Sequence, residues 1–271
     1  MIIAVDTGGT KTLITSFDRD GTMQVIAKFP TPKDTTAYKT AVSSAILEHA
    51  DSSTIDAIVV AVPGPVVDDV LVRARNIDES WQQLSIAALF EGVFGDTPLY
   101  IANDADLAGL SEARALEQAP AVSLYVTLST GVGTGLAFDG HLADNLRHIE
   151  GGWMRLYYDG SYQMWENFAS GRNFYERYNQ YGSDVEDPEK WRDFAKRASA
   201  GLVALIPMLS PDHVVIGGSM GTHFAKYGSF LREEVASVLP DFDANTITQA
   251  KHPEEAVIYG CYYYAVDRLA A

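Results

Sequence analysis

The sequence predicts a mixed α/β protein of two lobes in which one order of strands and helices is used twice. Three observations predict it. A branched apolar run at Met1 to Val5 enters Asp6, Thr7, Gly8 and Gly9 and returns as Leu13 to Phe17, and later Val122 to Leu128 enters Ser129 to Gly135 and returns as Leu136 to Phe138. Ile55 to Val62 is, apart from Asp56, an apolar run of strand length, and its lack of alternation indicates a strand buried on both faces by helices. At 271 residues the chain also exceeds the usual single domain, and about 150 residues per domain suggests two.

In the opening stretch, Gly8 and Gly9 are expected to supply the positive φ that a two-residue hairpin turn demands. Asp6 at the strand end, bare backbone N–H groups, then Thr10 and Lys11 together offer a place for a metal-bound phosphate. Read alone, the stretch fits an ordinary hairpin with a polar tip equally well. Gln24 to Phe29 is a third strand, ended by Pro30 and Pro32. Thr35 to Ala50 carries a helical period through Ala37, Tyr38, Ala41, Val42, Ala45, Ile46 and Leu47, with Thr35 or Thr36 as N-cap. After Ile55 to Val62, the run Pro63, Gly64, Pro65 is a rigid turn. Val66 to Ala74 forms a small hairpin leading to Asn76 and Trp81. Ser85 to Phe94 reads as helix, Leu99 to Ala102 as a buried strand, and Leu107 to Leu116 as helix after Asn103, Asp104, Ala105 and Asp106. Those polar residues fit simple N-capping when read alone.

The second half opens on the same device and then loses tidy alternation. His141 to Gln163 reads as loop with short strands. Trp165 to Ala169 and Arg172 to Tyr181 look helical, Gly182 to Glu189 is a polar loop, and Trp191 to Leu209 is a long helix that Pro207 should bend or end. His213 to Ile216 is a strand running into Gly217, Gly218, Ser219, Met220 and Gly221. Phe230 to Leu239 and Ala256 to Leu269 are helices. The lobes are expected at 1–116, joined by the closing helix 256–271, and at 117–255.

Composition narrows the function. Thirty-six acids against 20 bases give a formal charge of −16, which argues against nucleic acid and anionic membrane surfaces as partners. An anionic substrate must be held locally. The single cysteine, Cys261, excludes an internal disulfide and fits a reducing compartment. No run approaches the ~20 apolar residues of a membrane helix, and the apolar start has no basic segment ahead of it, so a cytoplasmic protein is expected.

Open α/β sheets place ligands beyond the carboxyl ends of their strands, where three glycine turns and Asn103–Asp104 fall here. The segments VDTGGTK ending at Lys11, VPGPV at Val62 to Val66, NDAD at Asn103 to Asp106, STGVGTG at Ser129 to Gly135, ENFASG at Glu166 to Gly171 and VVIGGSM at Val214 to Met220 resemble, in order and approximate spacing, the ROK family of sugar kinases and related repressors. The resemblance runs from residue 1 to about residue 225 and reappears at Tyr259 and Gly260. It implies the two-lobed actin-like ATPase (ribonuclease H-like) fold with a duplicated βββαβαβα core. It implies a glucokinase-like enzyme that uses ATP and Mg²⁺ to phosphorylate a hydroxyl of a hexose or N-acetylhexosamine. On it, Asp6, Gly8, Gly9, Thr10 and Lys11 with Thr130, Gly131 and Gly133 are phosphate loops, and Asp6 reaches Mg²⁺ through water. Gly217 and Gly218 let adenosine lie close to the backbone, and Asp104 is the base for the sugar hydroxyl. Local chemistry agrees with that last role, since phosphoryl transfer needs a carboxylate to accept the hydroxyl proton and a helix start favours the ionised form.

Sugar recognition is where the sequence departs from the family. Members carry Glu, then His three residues on, then a cysteine-rich zinc loop and a second Glu; here Glu150 is followed by Trp153, the cysteines are absent, and Glu166 is the second acid. Glu150 and Glu166 remain for sugar hydroxyls. Trp153 either stacks on a pyranose or fills the space of the zinc loop. His148 is a nearby substitute, or a surface residue. Gly64, Asn76 and Asn103 join the substrate set by family position. Asp106, where the family has Asn, reads as an N-cap. The rival class is a degenerate sugar or nucleotide sensor on this fold, because Trp153 alters a sugar contact and Ser129 replaces a usual glycine. Polyphosphate is a further donor option. The repressors' DNA-binding element precedes the first strand, which Met1 opens here, so no nucleic-acid partner is expected; a homodimer is left open. No structural zinc is expected, and metal analysis of the purified protein should find none in stoichiometric amount.

Overall fold

A computed structural model describes residues 1–74, 77–146 and 149–271. The chain divides into two compact units. The first comprises Met1–Ser111 and Val257–Ala271 with the short run from Asn145, and the second Glu112–Asp144 and Ile149–Ala256.

In the first unit β1 (Ile2–Thr7), β2 (Lys11–Phe17) and β3 (Met23–Pro30) form an antiparallel meander. Helix α1 (Thr35–His49) and strand β4 (Ala57–Val62) follow. Short strands β5 (Val66–Val67), β6 (Val70–Leu71) and β7 (Leu84–Ser85) and the single turn α2 (Ile86–Leu89) lead to β8 (Leu99–Asn103) and α3 (Asp104–Ala115). The main sheet runs β3-β2-β1-β4-β8, with β4 parallel to both β1 and β8. Every residue of β4 is buried, which is why its sequence does not alternate. Tyr38, Val42 and Ile46, spaced to share one helix face, pack α1 into the same core as Val60, Val62 and Trp81.

The second unit repeats that order. Strands β9 (Val122–Leu128), β10 (Val132–Phe138) and β11 (His141–Leu142) form the meander, and a hairpin of β12 (Arg155–Tyr158) and β13 (Ser161–Met164) follows. Then come α4 (Trp165–Ala169), α5 (Gly171–Tyr178), α6 (Pro188–Leu209), β14 (His213–Gly217), the single turn α7 (Gly218–Gly221), α8 (Phe224–Val238) and β15 (Ile247–Gln249). The sheet runs β11-β10-β9-β14-β15, with β14 parallel to β9 and β15. Position for position this is the arrangement of the first sheet. A last helix, α9 (Ala256–Ala270), belongs almost wholly to the first unit.

Several expected boundaries shift, each for a local reason. The N-cap of α1 is Asp34, whose Oδ1 accepts from Ala37 N at 2.7 Å, so neither Thr35 nor Thr36 caps it. The expected helix Ser85 to Phe94 shrinks to α2 because the chain turns beyond it, with Gly92 and Gly95 at φ 71° and 61°. Asn179, left-handed at φ 50°, stops α5 short of Tyr181. Helix α6 starts at Pro188 behind the cap Asp187, trimming the expected loop, and Pro207 falls in its last turn before Ser210 turns left-handed. Helix α8 begins at Phe224 rather than Phe230, and the three residues of β15 are too few to show a period.

Helix α9 packs against α3 through Gly260, where an added Cβ would lie 1.9 Å from Leu107 O. Backbone cannot yield as a side chain does. Gly260→Ala is therefore expected to destabilise the protein by about 1–3 kcal/mol, read as a lowered urea midpoint at unchanged m-value.

Candidate active site

The parallel strands of the first unit deliver two acids to one sheet edge. Asp6 pairs with Ala61 across β1 and β4, and Ala61 with Ala102 across β4 and β8. Asp6 thus leaves the sheet beside the end of β8, where Asn103 and Asp104 follow, two strand spacings or roughly 10 Å away. Beyond Asp6 the hairpin narrows to a pair in which Gly8 N donates to Lys11 O at 3.0 Å, leaving Gly9, Thr10 and Lys11 exposed. Neither Gly8 nor Gly9 adopts the expected positive φ. What favours glycine at residue 8 is the close carbonyl, because a Cβ would stand 3.1 Å from Lys11 O. Thr31, just past β3, braces the tip: its N donates to Thr10 O at 3.1 Å and its Oγ1 to Gly8 O at 2.7 Å. Below it, Thr7 Oγ1 and the Tyr38 hydroxyl share a buried hydrogen bond of 2.6 Å.

At Asp104 the helix start is capped by its neighbour. Asn103 Oδ1 accepts from Ala105 N at 2.8 Å and Asp106 N at 3.1 Å, so Asn103 is the N-cap. Helix α3 begins at Asp104, which puts Asp106 inside its first turn, buried, and not at the cap position expected for it. The Asp104 carboxylate accepts from Ala105 N at 2.8 Å. Burial nevertheless outweighs this amide bond and lifts Asp104 to about 6. Asp6 rises further, to about 7, through burial first and the charge of Asp104 second, with Lys11 opposing. Burial, with the charge of Asp6 added, also raises the thiol of Cys261 on α9.

In the second unit, the equivalent tip is held by Ser129, whose N donates to Gly131 O at 2.9 Å. Ser129 O accepts from Gly171 N at 2.7 Å and Arg172 N at 3.3 Å, joining the tip to the start of α5. Register puts Gly133, Thr127 and Gly217 in one row at this edge. A cleft of about 550 Å³ opens there, lined by Ser129, Thr130, Gly171, Tyr175, Ser219, His223 and their neighbours, a volume in the range of small-ligand sites. Gly217 and Gly218 do not line it. A Cβ on Gly217 would meet the Tyr125 hydroxyl at 2.2 Å, and Gly218, at φ 75°, approaches Thr127 Oγ1, so both glycines answer to packing against β9.

Glu150, Trp153 and Glu166 are gathered at the base of the β12–β13 hairpin. Gly151 N donates to Thr134 Oγ1 at 2.9 Å, and Gly152 lies so close to β10 that a Cβ would stand 1.8 Å from Val132 O. These contacts fasten the Glu150–Trp153 turn to the glycine-rich strand. Arg155 pairs with Met164, and Trp165 N donates to Met154 O at 2.9 Å, which brings Glu166 beside that turn. All three side chains are partly exposed. Gly64, at φ 140°, lies past the end of β4, and its Cβ position is 2.1 Å from Arg73 O. Asn76 and His148 lie outside the described residues. Sequence reasoning missed Tyr38 and Thr31 as supports of the first tip and Thr134 as support of the second; only Thr134, inside the glycine-rich motif, carried a signal.

Among the described residues no group of three or more His, Cys, Asp or Glu could hold a metal ion. Mg²⁺ does not need one, since it keeps several waters and takes one or two carboxylates plus substrate phosphates. Asp6 fits that donor set, its carboxylate pushed toward protonation and relieved by added positive charge. No described helix is long and apolar enough to cross a membrane.

A model of the ROK family matches residues 2–268. The chain belongs to the ROK family. This ROK chain is 28% identical to a polyphosphate glucokinase of Mycobacterium tuberculosis over 69% of its own length and 64% of that protein. For the polyphosphate glucokinase of Mycobacterium leprae the figures are 29%, 59% and 45%. The chain thus spans less than two thirds of these relatives. With an N-acetyl-D-glucosamine kinase of Photobacterium profundum it is 24% identical over 99% of its length and 100% of that protein. Its fold matches a ROK family glucokinase from Streptomyces griseus solved with glucose and AMPPNP, with a TM-score of 0.80 and 22% identity over 98% of this chain and 99% of that one. The fold is that of the ROK sugar kinases, the actin-like ATPase fold.

The raised acids have a cost that stability measurements can read. Asp6 moves from 3.8 unfolded to about 7 folded, so the native state holds the proton more tightly and stability falls as pH rises between those values. Asp6→Asn removes that loss. Without added metal the variant should melt above the wild type at about pH 8 and level with it at about pH 4.

Proposed function

We propose that this ROK protein is a sugar kinase that transfers the γ-phosphate of ATP to a hydroxyl of a hexose or N-acetylhexosamine, glucose being the first acceptor to test. The observation that carries the reading is the half-buried carboxylate of Asp104 at the start of α3, lifted to about 6 and sharing its sheet edge with Asp6. A group titrating there is ionised at neutral pH and still basic enough to accept a hydroxyl proton. In this reading Asp104 Oδ takes the proton as the sugar oxygen bonds to the γ-phosphorus, and the bond to the ADP oxygen breaks.

The remaining roles follow from chemistry. Amides of Gly9, Thr10 and Lys11 at the first tip and of Thr130, Gly131 and Gly133 at the second bind phosphate oxygens as backbone nests, with Lys11 adding charge and Gly8 closing the first tip. Asp6 would hold Mg²⁺ through water, and the ion when bound supplies charge neutralisation to the phosphates. The cleft beside Ser129, Tyr175 and Ser219 takes the adenosine, next to Gly217 and Gly218. Glu150 and Glu166 accept from sugar hydroxyls, Trp153 offers a ring for the pyranose face, and Gly64, Asn76 and Asn103 complete the acceptor set. Relatives named as glucokinases and as an N-acetyl-D-glucosamine kinase support a sugar acceptor.

The test is ADP release with Mg²⁺ across a panel of sugars, with ATP and polyphosphate compared as donors. Asp104→Asn should lower kcat by about 10²–10⁴-fold with sugar binding retained, and the wild-type rate should fall on the acid side of about pH 6. Undiminished turnover in the variant removes Asp104 from the base role. Sugar binding without turnover anywhere in the panel replaces the kinase by a sensor.

A further inference from the structure

One corner of the second unit carries a residue of each candidate subsite, and a buried cation grips it. Helix α4 ends and α5 begins within Ala169, Ser170 and Gly171, with Ser170 capping α5 through Asn173 N. Just before the corner, in the first turn of α4, stands Glu166. Just after it, Gly171 N and Arg172 N donate to Ser129 O of the glycine tip.

Arg197, in the middle of α6, is only 1% exposed. Its Nη1 donates to Phe168 O at 2.9 Å and to Asn173 Oδ1, so a single nitrogen joins the end of α4 to the first turn of α5. Its Nε donates to Asp193 O at 3.3 Å and pairs with the Asp193 carboxylate at 3.2 Å. Asp193 in turn accepts from the Tyr178 hydroxyl and pairs with Arg177 at 3.1 Å, which fixes the far end of α5. The rings of Tyr178 and Phe194 flank the guanidinium, with centroids 5.8 and 5.7 Å away.

An ion pair between the buried Arg197 and the part-exposed Asp193 is a weak source of net stability, because desolvation of the cation and solvent at the carboxylate offset the attraction. What it does supply is geometry, since the planar guanidinium presents its N–H groups in a fixed fork. We infer that Arg197 is a positioning residue that holds the α4–α5 corner and so couples Glu166 to the Ser129–Gly135 tip. The inference rests on the proposed function only for the identity of the two ligands.

Two variants test it. Arg197→Lys keeps the charge and the reach to Asp193 but loses the fork, whereas Asn173→Ala cuts only the branch to α5. Binding of glucose and of a non-hydrolysable ATP analogue would be measured by calorimetry, each alone, beside amide exchange of residues 129–135 without ligand. Asn173→Ala should weaken the nucleotide by about tenfold, speed exchange in the tip and leave glucose within about twofold; Arg197→Lys should weaken both ligands by about tenfold. Folded variants with wild-type affinities and wild-type tip exchange would overturn the inference, as would losses that vanish on cooling below the lowered melting temperature. Should Arg197→Lys not fold, Asn173→Ala decides alone. If the wild type binds neither ligand the kinase reading fails, and tip exchange still judges Arg197.

Discussion

The first unit is governed by the electrostatics of two carboxylates brought to one edge of a sheet. Three parallel strands fix where Asp6 and Asp104 emerge, and the fully buried β4 between them is apolar from end to end. Burial alone raises both acids, and the charge of Asp104 raises Asp6 further. Such a pair lowers stability above the range where both can hold protons. Around it the supports are neutral: Thr7 on Tyr38, Thr31 on the hairpin tip, and the buried thiol of Cys261, which burial and the charge of Asp6 hold in its protonated form.

Many glycines in this protein answer to closeness. Gly152 admits the Val132 carbonyl, Gly217 the Tyr125 ring, Gly201 the Trp165 indole and Gly260 the Leu107 carbonyl, each leaving no room for a methyl group. Among the described residues seven glycines have positive φ: Gly64 and Gly218 are crowded as well, whereas Gly92, Gly95 and Gly160 have open space and answer to φ alone. This changes how the glycine motifs are understood. The pair at Gly217–Gly218 lets α7 turn tightly against β9, and the cleft is then lined by the Ser219 and Met220 that the turn presents.

The duplicated order was legible because it is written locally: each half opens with a branched strand, a glycine tip and a return strand, and those periods survive in sequence. Helix ends were less legible. Asp34, Asn179 and Ser210 decide where helices start or stop, and a cap is a single side chain or a single left-handed residue set in a stretch of polar neighbours. The short strand β15 is stabilised by pairing with β14 rather than by its own pattern.

By itself the sequence determined the two-unit α/β class, the repeated strand order, and the candidate acids at strand ends, because hydrophobic period and turn chemistry act between residues close in the chain. Tertiary structure alone decided which groups support them. That Asn103 caps α3 and leaves Asp104 as the acid at its start, that Thr134 fastens the Glu150 turn, and that Arg197 grips the α4–α5 corner all depend on hydrogen bonds whose geometry is set by packing. Burial decided the electrostatics as well. A helix start favours an ionised carboxylate, and burial overrode that preference at Asp104 because removing water from a charge outweighs the amide hydrogen bonds from Ala105 N and its own N.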